Sequence, residues 1–178
     1  MRALVGYESM YGNTRKVAEA IATGLAETAE VDVVPVRDMT MEQLDGSDLF
    51  VIGAPTHAHS LPRASSRKEA VAKAGGANGL VAEPTAEESG VREWLDVVSL
   101  GGARVAAFDT RVDMHPWVTG RASRTILRQM RRNGGLPVAP AESFLVDKDS
   151  TLRPGELDRA RAWGESLAAL MVPIPSEH

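Results

Sequence analysis

Ser9, Asn13 and Thr14 surround Gly12 in the run Ser9-Met10-Tyr11-Gly12-Asn13-Thr14. Two hydroxyls, one amide and a residue that lets the main chain curl tightly are the parts of an anion cradle. Such a cradle works without a metal when it opens a helix. The first N–H groups of a helix lack internal partners and carry a partial positive charge. The same residue types also serve as plain helix caps, so the run alone leaves both readings open. Neither G-x-x-x-x-G-K-[ST] nor G-x-G-x-x-G follows the first apolar run. The missing lysine argues against a nucleoside triphosphatase.

Other chemistry is thinly represented. The chain has no cysteine, which removes disulfides, thiolate catalysis and Cys-ligated clusters. His57, His59 and His115, with Asp109 and Asp113 as the nearest carboxylates, make a poor metal set. Ser9 and Ser60 have no nucleophile elbow and no paired base. No residue is singled out as a catalytic acid, base or nucleophile.

The elements that must position the cradle follow from the patterning. The 178 residues suit one domain over 1–178. A formal net charge of −4 argues against generic nucleic-acid binding. No apolar stretch is long enough to span a bilayer, and the first residues lack a signal-peptide layout, so a cytoplasmic protein is the expectation. Apolar strands are expected at 3–7, 31–36, 49–55, 103–109 and 142–146, the second at an edge because of its proline. Val17, Ile21 and Leu25 recur at helical spacing and predict a helix over 13–28. Further helices are expected within 89–98, 119–135 and 153–171. Alternating strands and helices imply a doubly wound α/β sheet. The Ala-, Gly- and Ser-rich stretch 64–90 reads as a mobile insertion whose first part suits a short helix.

The turn at 9–14 resembles the phosphate loop of flavodoxins and flavodoxin-like proteins, Ser/Thr-x-Thr-Gly-x-Thr, with Tyr11 in place of the middle threonine. "VIGAPTHAHS" (51–60) is similar to the family's first flavin loop, "AAFDTR" (106–111) to the position of its second, and the stretch around 155–168 to its closing helix. The resemblance covers nearly the whole chain. It implies a five-stranded parallel sheet in order 2-1-3-4-5 and FMN as the cofactor. It implies that Ser9, Asn13 and Thr14 hold the FMN phosphate through side chains, and Met10, Tyr11 and Gly12 through N–H groups. Pro55, Thr56, His57, Ala58 and His59 would then meet the ring from one loop, and Asp109, Thr110 and Arg111 from the other.

The chain departs from the family pattern where the ring would lie. His57 stands where flavodoxins commonly place an aromatic, Ala58 where they place the neighbouring glycine, and the second loop has no tyrosine. Trp117 is the one loop aromatic near the proposed site; it suits either a flavin cover or a helix underlay. Arg121, Arg124, Arg128, Arg131 and Arg132 share a helix face. They read either as a solvated face or as a docking stripe for an acidic redox partner or an anionic surface.

The first function reading is an FMN-binding electron carrier serving a redox partner protein or a small-molecule acceptor. The alternatives are an FMN-dependent oxidoreductase of a quinone or porphyrin precursor and a flavodoxin-fold domain that no longer binds flavin. A receiver domain fails because the third strand ends in "IGAPT", without the aspartate such a domain needs.

Overall fold

The computed structural model describes residues 1–57, 60–75, 79–84 and 86–171. Its centre is a parallel sheet. β1 (Arg2–Tyr7) has β2 (Glu30–Pro35) on one side and β3 (Leu49–Pro55) on the other. β4 (Arg104–Val112) follows β3. The free side of β4 is shared by two short segments, β5 (Leu136–Pro137) at its start and β6 (Glu142–Val146) at its end. The order is thus 2-1-3-4-5, with the fifth position split in two. The expected edge place of the proline-bearing second strand is the observed one: β2 pairs with β1 alone among the strands.

The sequence puts the end of the fourth strand at Asp109, leaving Thr110 and Arg111 in a loop. The strand instead runs to Val112. The reason is pairing: Thr110 faces Pro55 of β3 and Phe144 of β6, and Val112 faces Val146. Neighbours on both sides satisfy the backbone there, so the chain stays extended.

Seven helices fill the connections among the described residues: α1 (Asn13–Leu25), α2 (Met41–Gly46), α3 (Ala64–Lys73), α4 (Val91–Val97), α5 (Pro116–Thr119), α6 (Ala122–Arg132) and α7 (Glu156–Met171). The sequence reading lacks α2. Its signal is a capping box, with the Thr40 hydroxyl accepting from the Gln43 N–H while the Gln43 side chain takes the Thr40 N–H.

Two cores form because the apolar strands are covered on both faces. On one face Val5, Val51, Phe108 and Phe144 pack against Val17, Ile21 and Leu25 of α1 and Leu167 of α7. On the other, Leu4, Phe50, Ile52 and Val105 meet Leu95 of α4 and Ile126 and Met130 of α6. Each fully buried side chain of this size contributes about 1.5–3 kcal/mol. The contact of α1 with α7 depends on glycine. A Cβ at Gly164 would lie 2.2 Å from the Ile21 carbonyl oxygen, and one at Gly24 would lie 2.1 Å from that of Arg161. This close packing fixes where α1 starts, and hence where the cradle sits.

Candidate functional site

β1, β3 and β4 end side by side, and α1 begins directly after β1. In an open α/β sheet this carboxyl edge is where ligands are received. A pocket of about 170 Å³ lies here. Ser9, Met10, Tyr11, Asn13 and Thr14 form one wall, Pro55, Thr56 and His57 a second, and Thr110 and Arg111 a third. Ten of the fifteen residues expected at the site therefore line one cavity.

The first wall is an open helix end. Gly12 occupies the N-cap of α1 at φ 85°, a conformation that favours glycine, and supplies no side-chain cap. The first intrahelical bond runs from the Lys16 N–H to the Gly12 carbonyl. The N–H groups of Asn13, Thr14 and Arg15 thus precede the ladder. The Gly12 N–H donates to the Ser9 hydroxyl at 3.1 Å, which closes the turn. The Thr14 and Thr110 hydroxyls lie 2.8 Å apart, both residues buried. One proton can lie between them, so the other hydroxyl keeps a donor for a ligand. The Asn13 amide donates to the Ser150 carbonyl at 2.5 Å.

The other walls are built differently. Thr56 extends from β3, and its N–H donates to the Thr110 carbonyl at 2.8 Å. Its hydroxyl accepts the Ala122 N–H at 2.9 Å, tying the end of β3 to the start of α6. His57 exchanges main-chain bonds with Ser60. Ala58 and His59, both expected at the ring, lie outside the described residues. Arg111 is buried; its Nη1 donates to the Met114 carbonyl at 2.7 Å, while its Nε has no partner among the described residues. Desolvation pulls its pKa down.

Two expected residues stand away from the pocket. Asp109 is fully buried on the α6 face, where its carboxylate accepts the Ser123 N–H at 2.8 Å. Strand alternation explains this: Thr110 faces α1, so Asp109 must face α6. Burial pushes the Asp109 pKa up, and hydrogen bonds from Ser123 oppose the shift. Trp117, in α5, is 86% exposed and lies neither in the pocket nor under a helix. Conversely, Val112, Val146 and Ser150 line the pocket although the sequence did not single them out. Ser150 has φ 59°, in a turn that Asp147 holds by accepting the N–H groups of Asp149 and Thr151. The "DKDS" run after the fifth strand was the readable signal for that turn.

Beneath the cradle a buried charge network fastens the segment between α3 and α4. Glu8, at the end of β1, accepts the Val91 N–H at 2.9 Å and pairs with Arg67 at 3.3 Å. Arg67 reaches Glu93 at 2.6 Å. Burial raises the Glu8 pKa against the pull of the Val91 N–H and Arg67. Gly90 is forced here, since a Cβ would lie 2.1 Å from the Glu8 carboxylate. Further ties run from this segment to the cradle itself. The Glu83 N–H donates to the Met10 carbonyl at 2.8 Å, Arg15 pairs with Glu83 at 3.1 Å, and the Tyr11 hydroxyl donates to the Ala70 carbonyl. Arg67, Ala70 and Glu83, within the stretch expected to be a mobile insertion, are thus bonded to the end of β1 and to the cradle.

Among the described residues no group of three or more histidine or acidic side chains is placed to hold a metal. No helix there is long and apolar enough to cross a membrane.

Comparison with known proteins gives concordant results. A family model described as Flavodoxin matches residues 5–108. No curated protein matches the chain. Among solved structures, oxidised Flavodoxin 1 from Bacillus cereus aligns with a TM-score of 0.66 at 18% identity, over 97% of this chain and 100% of that one. A flavodoxin from the domain Archaea aligns with 0.64 at 20%, over 95% and 97%. A flavodoxin, WrbA-like protein from Agrobacterium tumefaciens aligns with 0.60 at 18%, over 95% and 96%. At these identities the structures speak to the fold alone.

Proposed function

The chain belongs to the flavodoxin family, and from that premise we propose that it binds FMN and carries electrons to a redox partner or small acceptor. The observation that carries this reading is the uncapped start of α1, opening into a pocket walled by Ser9, Asn13, Thr14 and Thr56. The donor set fits a phosphate monoester: orphan N–H groups, two hydroxyls and a positive-φ glycine, with no metal required.

When bound, FMN supplies the electron chemistry. The chain's own residues do the rest. Asn13, Thr14 and Arg15 offer main-chain N–H groups to the phosphate, and Ser9 and the Thr14–Thr110 pair offer hydroxyls. Pro55, Thr56 and His57 would form the wall on the ring side, with Arg111 lining the same pocket. Ala58 and His59 belong to the same proposed loop. The pocket is below the roughly 300 Å³ usual for a ligand of this size. It matches the phosphate and part of the chain behind it.

One observation favours the second reading, an FMN-dependent oxidoreductase. A further cavity of 230 Å³, walled by Tyr7, Arg37, Glu83 and Ser89, adjoins the cradle through Ser9. This is room for a small substrate. Reductive titration followed by electron paramagnetic resonance separates the two. A one-electron signal that persists at half reduction supports the carrier; its absence supports the oxidoreductase.

The cofactor assignment is tested with Ser9→Ala/Thr14→Ala, titrated with FMN and with riboflavin by fluorescence quenching. Charge-assisted bonds contribute about 1.5–3 kcal/mol each, so losing two should drop FMN affinity at least about 100-fold while riboflavin affinity holds. Equal losses for both ligands remove the phosphate assignment. No uptake of FMN by the native chain leaves the flavin-free domain as the better reading.

A further inference from the structure

Most arginines elsewhere among the described residues are ion-paired, whereas those at α6 are not. Arg2, Arg15, Arg37, Arg67, Arg153, Arg159 and Arg161 each form an ion pair. Among the described residues none is found for Arg121, Arg124, Arg128, Arg131 or Arg132; Arg63, Arg92, Arg104 and Arg111 also lack one, but Arg92, Arg104 and Arg111 donate to carbonyl or sulfur acceptors instead. Arg124, Arg128, Arg131 and Arg132 are exposed at spacings of four, three and one, while Ile126 and Met130 bury the opposite side. The charge is segregated as well. From Met114 to Ala141 the chain has five arginines and no acidic residue. The remainder holds fifteen cations and all twenty-four acids, a formal −9. A positive strip on an otherwise negative body orients an approaching partner before contact.

The strip starts at the site. The Ala122 N–H binds Thr56, a wall of the pocket, and α5 with Trp117 immediately precedes α6. Trp117 is 86% exposed and Met114 45% exposed, so apolar surface stands at the head of the strip. Exposed tryptophan beside arginine is the composition of interface hot spots.

We propose that the exposed face of α6, headed by Trp117, docks an acidic protein surface next to the pocket. The occupant follows from charge and size. The eleven-residue helix presents a strip about 16 Å long, the scale of a local acidic patch on a folded protein. An extended polyanion or a charged bilayer would run past the strip and meet the negative remainder. Docking here deepens the electron-carrier reading by naming its partner, and its purpose rests on that reading; the contact itself does not need flavin.

The test uses the full chain, flavin-free and FMN-loaded, with one acidic probe, a [2Fe–2S] ferredoxin of strongly negative charge. At about 50 mM salt it should bind, with affinity falling steeply as salt rises. Arg124→Glu/Arg128→Glu/Arg131→Glu should weaken binding by about tenfold or more. The charge-matched control Arg2→Glu/Lys16→Glu/Arg161→Glu should change it less than about twofold, since those residues lie off the strip. Trp117→Ala keeps the charge and should still raise the dissociation rate several-fold. The proposal falls if the ferredoxin does not bind, if the control loses as much as the α6 variant, or if duplex DNA or phosphatidylserine vesicles bind more tightly through the same arginines. Docking without FMN uptake overturns the function reading alone; FMN uptake without docking overturns this proposal alone.

Discussion

α1 and α6 both begin at the carboxyl edge of the sheet, and their first turns have opposite fates. At α6 the protein supplies its own acceptors: Thr56 takes the Ala122 N–H and Asp109 takes the Ser123 N–H. At α1 the N-cap is a glycine without a side chain, and the turn opens into a pocket. Helix ends are costly to leave unpaired when buried. A fold that satisfies one and leaves its neighbour open is what the proposed phosphate site requires. The contrast separates a self-capped helix start from the one proposed to receive the phosphate, although both lie within the same set of strand ends.

The largest expected effect comes from forcing the open end out of shape. Gly12→Val puts a β-branched residue at φ 85°, with its Cβ 3.0 Å from the Glu83 carboxylate. Backbone strain of this kind costs about 1–3 kcal/mol. FMN affinity should fall about 100-fold or more, with a smaller loss for riboflavin, as seen by fluorescence quenching. Gly120, just before α6, has φ 74°. Gly120→Val should destabilise comparably in chemical denaturation and leave the ratio of FMN to riboflavin affinity unchanged. A change of that ratio at Gly120 would erase the distinction between the two helix starts.

A smaller effect probes the self-satisfied end. Asp109 is buried, and its raised pKa means that the folded state holds its proton more tightly than the unfolded chain. The stability contributed by that proton is complete below the ordinary carboxylate range and is lost as pH rises through the raised value. Asp109→Asn keeps an acceptor for the Ser123 N–H without the charge. At pH 7 it should be more stable than the native chain by about 1 kcal/mol, and the gap should close as the pH falls to about 4. Asp109→Ala removes the acceptor and should cost about 1–3 kcal/mol at that low pH. Glu8 shifts in the same direction, so the comparison must be between variant and native chain, not between pH values of one protein.

The two helix starts were unequally legible. Gly12 and its neighbours announce themselves because a positive φ and a polar run are local properties. Periodic Val17, Ile21 and Leu25 fixed α1 for the same reason, and the apolar runs gave β3 and β6 to the residue. The capping of α6 was hidden because its acceptors come from residues 66 and 14 positions away. The sequence puts Asp109 at the ring because its strand reads as ending there, and what prolongs β4 is pairing with β6, a partner more than thirty residues on. Arg67 sat in an Ala- and Ser-rich helix with no visible partner until the fold brought Glu8 to it. Local conformation was readable; long-range satisfaction of buried polar groups was not.

The finest distinction lies in the charges around the open end. Glu83 stands over Gly12 and pairs with Arg15, which also pairs with Glu19. A carboxylate beside a helix N-terminus is favourable while no ligand is bound, by about 0.3–1 kcal/mol. The same charge opposes an incoming dianion. Glu83→Gln should therefore lower the stability of the flavin-free chain slightly and raise FMN affinity about two- to fivefold, with riboflavin unaffected. Arg15→Gln should do the reverse to FMN, weakening it by a similar factor. Both changes should shrink as salt rises, since the pair is partly exposed. Opposite signs from the two substitutions, read by isothermal titration at low and high salt, would place the phosphate at α1. Equal signs would mean that each acts by loosening the segment that carries Glu83, and the open helix end would lose its claim to the ligand.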